Sequence, residues 1–107
     1  MIFIVVKFTV RPERSEEWLT LVGDFTRSTR AEEGNIFFEW SRSVDDPNQF
    51  VLVEAFQNGA AEAHVTSEHF TTAIGWMPDV VATTPDVVSV QGVVGDGWGK
   101  MGEVSPR

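Results

Sequence analysis

The order of apolar segments along the chain constrains the fold more than any other feature of this sequence. β-branched and aromatic residues dominate residues 2–10, 35–44, 49–56 and 87–94, which predicts four strands. Segments with helical spacing lie between the first and second strands and between the third and fourth. The resulting order, β-α-β-β-α-β, is typical of the ferredoxin-like fold. The sequence therefore predicts an α+β domain built on one antiparallel sheet.

The first helical segment begins after Arg11-Pro12, because proline has no N–H to offer a strand ladder. Apolar side chains then recur at intervals of three and four residues: Trp18, Leu21, Val22 and Phe25. Gly34 favours the end of this helix. We expect one helix that packs its apolar face on the sheet.

The second and third strands are predicted to form a hairpin, because residues 45–48 (Asp-Asp-Pro-Asn) carry strong turn chemistry. Successive side chains of a strand point to opposite sides of the sheet. Phe38, Trp40 and Arg42 therefore share one side of the second strand. The third strand has a corresponding set on one of its sides: Phe50, Leu52, Glu54 and Phe56.

The second helical segment, residues 60–82, is rich in alanine and should form two pieces, because the polar residues Thr66-Ser67-Glu68 interrupt it. Pro78 is expected at or near a helix end. The domain is predicted to cover residues 1–94. Residues 95–107 are glycine-rich and form a tail that is either flexible or in contact with a partner subunit, in which case Trp98 is the side chain expected to dock.

Composition narrows the classes of function. The formal net charge of −8 opposes binding to nucleic acid or to anionic membranes and favours a small neutral or apolar partner. The absence of cysteine excludes disulfides and Cys-based zinc sites, so we expect a cytoplasmic protein held by packing alone. The apolar start of the chain is interrupted by Lys7 and has no preceding basic region, which argues against a signal peptide or a spanning helix.

Glu54 and His64 are the candidate catalytic residues. Glu54 lies on an inward strand face, and His64 lies on the helix that follows. An unperturbed histidine has a pKa of about 6.5, so it can accept a proton near neutral pH, and a carboxylate on its other nitrogen fixes the tautomer. The alternative is that His64 is a hydrogen-bonded structural residue that braces the loop.

The candidate substrate-binding residues are large or polar side chains near this pair: Trp40, Arg42, His69, Phe70 and Trp76. The aromatic residues can line a pocket for a flat ring system, although each can equally be part of the core. Arg42 can bind a phenolate oxygen or form an exposed ion pair. His69 would point away from His64 on a continuous helix, although a break at Ser67 can reorient it.

No metal or organic cofactor is expected. The two histidines do not have the spacing of a His-x-x-x-His pair on one helical face, which argues against a metal site. The chain has no glycine-rich phosphate-binding loop and no Cys-x-x-Cys-His motif for haem attachment. Nothing in the sequence requires flavin, nicotinamide or ATP.

The stretch from Glu54 to Phe70 resembles the signature of the antibiotic biosynthesis monooxygenase family. That signature is a strand ending in Glu-x-aromatic, followed by a short helix with Ala-x-x-x-His-x-x-Ser-x-His-Phe. The resemblance extends to residues 11–13, 32–35 and 45–47 and spans the chain from Phe3 to Val94.

The resemblance implies a homodimer in which two ferredoxin-like sheets form an α+β barrel, with a pocket between sheet and helices in each subunit. It also implies oxidation of a small aromatic substrate, a quinol, anthrone or polyketide-like ring, by O2 without metal or flavin, with His64 as the base. This chain has no tyrosine, so a tyrosine proton donor must be replaced by water or another group. Ala73, Ile74 and Gly75 stand where the haem-degrading branch needs an axial histidine, which argues against haem degradation.

Two other functions stay open from the sequence. The same aromatic residues suit a non-catalytic dimer that binds small hydrophobic metabolites. The same base suits an isomerase or lyase that acts on a carbonyl substrate and consumes no O2.

Overall fold

The computed structural model describes all 107 residues, from Met1 to Arg107. Its strands are β1 (Ile2–Thr9), β2 (Asn35–Arg42), β3 (Gln49–Phe56) and β4 (Asp86–Val90). Its α-helices are α1 (Trp18–Leu21), α2 (Gly23–Arg30), α3 (Ala61–Val65) and α4 (Glu68–Trp76). Two 3-10 helices, Pro12–Glu17 and Met77–Asp79, complete the elements. The predicted order β-α-β-β-α-β is confirmed.

The four strands form one sheet in the order β2-β3-β1-β4, and every neighbouring pair is antiparallel. This arrangement, with the helices packed on it, confirms the ferredoxin-like α+β class. The sheet is not closed, because β2 and β4 are free edges. The β2–β3 hairpin also matches its prediction, and β3 has the predicted bounds.

The prediction of one continuous first helix is wrong. The 3-10 helix Pro12–Glu17 comes first, and the α-helical part is interrupted at Val22, whose φ of −87° and ψ of 5° leave helical geometry. The Thr26 hydroxyl donates to the Val22 carbonyl oxygen at 2.7 Å, a bond that bends helices. The predicted apolar face survives this break, since Trp18, Val22 and Phe25 are buried.

Gly34 does not end the helix, because α2 already ends at Arg30. Its role is close packing instead. A Cβ atom added to Gly34 would lie 2.2 Å from the Cβ atom of Ala60, so only glycine lets the start of the second helical region approach the α2–β2 turn this closely. Gln57 N donates to the Gly34 carbonyl oxygen at 2.8 Å and joins the same two segments.

The second helical region consists of two pieces, as predicted. α3 ends at Val65, and Ser67 begins α4 by accepting a hydrogen bond on its hydroxyl from the backbone N–H of Phe70 at 3.2 Å. Pro78 lies in the 3-10 helix that follows α4, which confirms its expected place near a helix end.

Three strands are shorter than predicted. β1 ends at Thr9 rather than at residue 10. β2 ends at Arg42 rather than at residue 44, and Val44 is exposed. β4 covers Asp86–Val90 rather than residues 87–94: Gly92, with a positive φ of 71°, interrupts the strand, and Val93 pairs again through two hydrogen bonds with Met1.

The core lies between the sheet and the helices and is mainly aromatic. Trp18 is fully buried at its centre, with ring centroids 5.3 Å from Phe8, 5.8 Å from Trp40 and 5.8 Å from Trp76. Burial of such rings is the largest apolar contribution available to a domain of this size. None of the helices combines the length and the hydrophobicity needed to cross a membrane.

The opposite side of the sheet, which we call the outer face, is apolar but carries no helix. The strand registers place on it Phe3, Val5, Phe37, Val53, Val88 and Val90. The tail touches it, because the Trp98 ring stacks on Phe37 with centroids 5.0 Å apart and its Nε1 donates to Glu39 at 2.6 Å. Contact of the tail with a partner subunit stays a prediction.

Candidate functional site

A cavity of about 310 Å³ lies between the helix-covered side of the sheet and helices α3 and α4. Its walls are mostly aliphatic and aromatic, and Glu54 and His64 are the only titratable side chains that line it. The two predicted catalytic residues therefore meet at one apolar cavity. Such a cavity suits a small hydrophobic ligand that is oriented by a few polar groups.

Glu54 lies in the middle of the sheet. It pairs with Ile4 on β1 and Phe38 on β2, so its side chain shares the helix-covered side with these apolar neighbours. The residue is 5% exposed. Burial, and to a lesser degree the nearby charge of Glu32, raises the pKa of Glu54 from 4.5 to about 7. Near neutral pH this carboxyl group is therefore a mixture of acid and carboxylate.

His64 lies on α3 and is 4% exposed, between the rings of Phe56 and Phe70 at centroid distances of 4.8 and 5.2 Å. Its Nδ1 lies 2.7 Å from Glu32 Oε2, a hydrogen bond, whereas its Nε2 lies 3.9 Å from Glu54 Oε1, beyond hydrogen-bond distance. Since a carboxylate only accepts, Nδ1 carries the proton of the neutral ring, and Nε2 has a free lone pair.

His69 reaches the same carboxylate oxygen, because its Nε2 lies 2.5 Å from Glu32 Oε2. The break at Ser67 makes this possible by reorienting α4 relative to α3, so His69 does not point away as it would on a continuous helix. His69 does not line the cavity. It lines a separate cleft of about 380 Å³ between α2 and α4, together with Asp24 and Glu68.

The other predicted substrate-binding residues are divided between the cavity and the core. Phe70 lines the cavity. Trp40 packs in the core, where its Nε1 donates to the Thr26 hydroxyl at 2.9 Å, and Trp76 packs on Trp18 and faces the cleft. Arg42 donates to Glu16 at 2.7 Å at the surface. Trp40, Arg42 and Trp76 are therefore absent from the cavity wall.

Glu32 is the site residue that the sequence did not indicate. It lies in the turn between α2 and β2, and 32 positions separate it from His64. No local spacing rule connects residues this far apart. The only signal was that residues 32–35 take part in the family resemblance, without any assigned role.

Glu32, His64 and His69 also have the donor types of a metal site. Their candidate ligand atoms lie within 4.8 Å of one another, and two histidines with one carboxylate are a known ligand set for Fe²⁺. Oε2 of Glu32, however, lies at hydrogen-bond distance from both ring nitrogens. The three side chains thus form a closed hydrogen-bonded cluster, and the expected absence of a metal stays a prediction.

A comparison with models of protein families shows which family the chain is a member of. The family model described as "Antibiotic biosynthesis monooxygenase" matches residues 1–76. The chain belongs to the antibiotic biosynthesis monooxygenase family. The matched residues include both histidines, Glu32 and Glu54. β4 and the tail lie beyond the match.

Similar proteins agree with this family. A Bacillus subtilis (strain 168) protein named "Putative monooxygenase YcnE" is 29% identical over 92 residues, which are 85% of this chain and 97% of that protein. A structure from Nitrosomonas europaea, described as a "Putative antibiotic biosynthesis monooxygenase", has a TM-score of 0.79 at 28% identity and covers 87% of this chain and 99% of its own. Rv0793 from Mycobacterium tuberculosis shares the fold, with a TM-score of 0.77 at 20% identity over 86% of this chain and 94% of its own.

Proposed function

We propose that this protein is a monooxygenase that oxidises a quinol, an anthrone or a related polyketide-like aromatic with O2, without metal or flavin. The observation that supports this function best is the environment of His64. One ring nitrogen is hydrogen-bonded to Glu32, and the other has a free lone pair beside an apolar cavity. A neutral imidazole held in this way is a suitable general base.

The proposed reaction uses the acidity of the substrate. His64 Nε2 removes a proton from the substrate carbon or hydroxyl, and the resulting electron-rich anion passes one electron to O2. Recombination of the two radicals forms a C–O bond and gives a peroxide. The proton held by His64 returns to the peroxide, whose O–O bond breaks with loss of water. For an anthrone, the balance is CH2 plus O2 giving C=O plus H2O.

Glu54 supplies the second polar group of the cavity. Because burial raises the pKa of Glu54 to about 7, its carboxyl group is protonated in a large fraction of the molecules near neutral pH. In that form it can donate to the substrate oxygen. This chain has no tyrosine to serve as the proton donor that some family members use, and Glu54 can take that place. The apolar walls exclude water from the reactive anion and orient the ring.

Oxygen uptake tests this proposal. Metal-stripped protein is mixed with a panel of hydroquinones and anthrones beside an enzyme-free blank for autoxidation. We expect uptake well above the blank and a loss of about a hundredfold or more in His64→Ala, since a general base contributes about 10²–10⁴ in rate. Glu62→Gln, an exposed change on the same helix, is the control and should keep the full rate.

Three outcomes would reject the proposal. Full uptake in His64→Ala would remove the base from the mechanism. Uptake equal to the blank with every substrate, together with tight binding of the same compounds, would favour the non-catalytic binding dimer. Solvent deuterium entering a carbonyl substrate without O2 consumption would favour the isomerase.

We also propose that the protein is a homodimer formed through the outer face. In a monomer this face carries no helix and is covered at Phe37 by Trp98, whereas Val88 and Val90 on the edge strand β4 are 64% and 46% exposed. Contiguous apolar surface of this kind is typical of a protein interface, and pairing would also protect the free edge of β4. A second copy of the chain offers the same apolar surface, so a dimer can both cover the outer face and protect the free edge of β4.

Sedimentation tests the dimer. We expect twice the chain mass of 11.9 kDa at micromolar concentration. Val88→Asp should give a monomer, because it places a charge on the outer face, whereas Val44→Asp in the β2–β3 turn should not. A wild-type protein that sediments as a monomer would refute this proposal and leave the oxygenase proposal untouched.

A further inference from the structure

Two histidines from different helices, His64 on the cavity wall and His69 in the cleft, share one carboxylate oxygen of Glu32. From this arrangement we infer that Glu32 and His69 are positioning residues for His64: Glu32 orients the ring, and His69 holds Glu32 in place. The inference rests on the proposed role of His64 as the base. Neither Glu32 nor His69 lines the cavity, so both would act through His64 and not on the substrate.

The position of Glu32 is determined by the backbone around it. Its N–H donates to the Thr29 carbonyl oxygen at 3.0 Å, and its own carbonyl oxygen accepts from Asn35 N at 3.1 Å. The close packing of Gly34 on Ala60 then brings this turn against the start of α3. The Glu32 side chain is only partly accessible, and its Oε2 lies between the rings of His64 and His69.

The shared oxygen dictates the tautomer of His64. A carboxylate oxygen accepts hydrogen bonds and donates none, so the His64 nitrogen that faces Glu32 carries the proton. The nitrogen on the cavity side is therefore the one that can accept a proton. When it does, the imidazolium lies 2.7 Å from the Glu32 carboxylate, and the hydrogen bond between them becomes charge-assisted.

His69 makes the second hydrogen bond to the same oxygen, at 2.5 Å. A carboxylate with one hydrogen bond can rotate about its side-chain torsions, and a second donor restricts that rotation. His69 reaches Glu32 from the cleft between α2 and α4, which is separate from the cavity. A substrate in the cavity would not touch His69, so the loss of His69 should lower kcat without raising KM.

The tautomer is measurable without turnover. In protein labelled with 15N histidine, NMR distinguishes an imidazole nitrogen that carries a proton from one that does not. We expect wild-type His64 to carry its proton on Nδ1 at a pH where the ring is neutral. In Glu32→Leu no side-chain oxygen accepts from Nδ1 of His64, so the Nε2-protonated form of His64 should increase.

Kinetics with the best substrate complete the test. Glu32→Leu should lower kcat by up to about 10⁴, the loss seen when a catalytic histidine loses its orienting carboxylate and takes the wrong tautomer. His69→Ala should lower kcat severalfold with KM unchanged, and His69→Gln, whose amide N–H can still donate to Glu32, should recover much of that loss. Thr72→Ala, an exposed change in the same cleft, should match the wild type.

Several results would overturn the inference. One is a His64 ring that carries its proton on Nε2 in the wild type. Another is a His69→Ala variant that raises KM at constant kcat, which would make His69 a substrate contact. Equal kcat losses in His69→Ala and His69→Gln would contradict the bracing role. Circular dichroism of each variant identifies unfolding, and the two His69 variants keep the test valid if Glu32→Leu does not fold.

The same experiments separate this inference from the proposed function. If no substrate gives oxygen uptake, the oxygenase proposal fails, yet the NMR tautomer in wild type and Glu32→Leu still decides whether Glu32 orients His64. If uptake depends on His64 but neither Glu32→Leu nor the His69 variants change kcat, the oxygenase proposal stands and the positioning inference fails.

Discussion

Replacing the buried Glu54 by glutamine should remove a pH dependence from the stability of the domain. In the folded protein the pKa of this carboxyl group is raised to about 7, mainly by burial, whereas its ordinary value is 4.5. Between these two values the folded state holds a proton that the unfolded state has released. The free energy of unfolding therefore falls as pH rises from about 4.5 to about 7 and levels off above this range.

The magnitude follows from the two pKa values. A rise from 4.5 to about 7, at about 1.4 kcal/mol per tenfold change in proton affinity, corresponds to a loss of about 3 kcal/mol. The contribution of the raised pKa of Glu54 to the free energy of unfolding is fully present below pH 4.5 and is lost above pH 7. Glutamine resembles the protonated acid at every pH. Glu54→Gln should thus match the wild type near pH 4.5 and exceed its stability by about 3 kcal/mol at pH 8.

Urea unfolding followed by tryptophan fluorescence at pH 5, 6, 7 and 8 measures this difference. Glu62→Gln carries the same substitution at an exposed site on α3 and should keep a constant difference from the wild type at all four pH values. If the stability curves of Glu54→Gln and wild type run parallel from pH 5 to pH 8, the raised pKa of Glu54 is refuted, and with it the role of Glu54 as a proton donor at neutral pH.

Three further changes have defined outcomes. Ser67→Ala should cost about 1 kcal/mol of stability, because α4 loses its N-cap, whereas Ser105→Ala in the exposed tail should cost nothing measurable in urea unfolding. Phe38→Ala should cost about 3–5 kcal/mol by the same assay, since the ring is almost fully buried; a cost below 1 kcal/mol would contradict the core described above. Dialysis against EDTA should leave oxygen uptake unchanged, and a loss restored by a divalent ion would instead indicate a metal at the Glu32 cluster.

The family and the main chemical groups were accessible from the sequence because they depend on local patterns. Strand alternation placed Glu54 on the side of β3 that faces the helices, and the polar interruption at Ser67 indicated two helical pieces. Both patterns have short periods, so they can be read from a few consecutive residues. The same reasoning brought Glu54 and His64 to one site, and both line the cavity.

Candidate residues chosen by type alone were less informative. Trp40 and Trp76 share the aromatic character of Phe70, yet only Phe70 lines the cavity. Sequence pattern shows that an aromatic side chain faces inward, but not whether it meets a void or another ring. That outcome depends on how the helices cross the sheet, which is decided by packing over the whole domain.

The sequence by itself determined the element order, the sheet faces and the meeting of Glu54 and His64 at one site, because strand and helix periods and turn residues act over short distances. Only the tertiary structure revealed that Glu32 joins His64 and His69, since this contact requires the Gly34–Ala60 approach and the break at Ser67 at the same time. Contacts between residues distant in the chain depend on the combined packing of several elements, and no single segment encodes them.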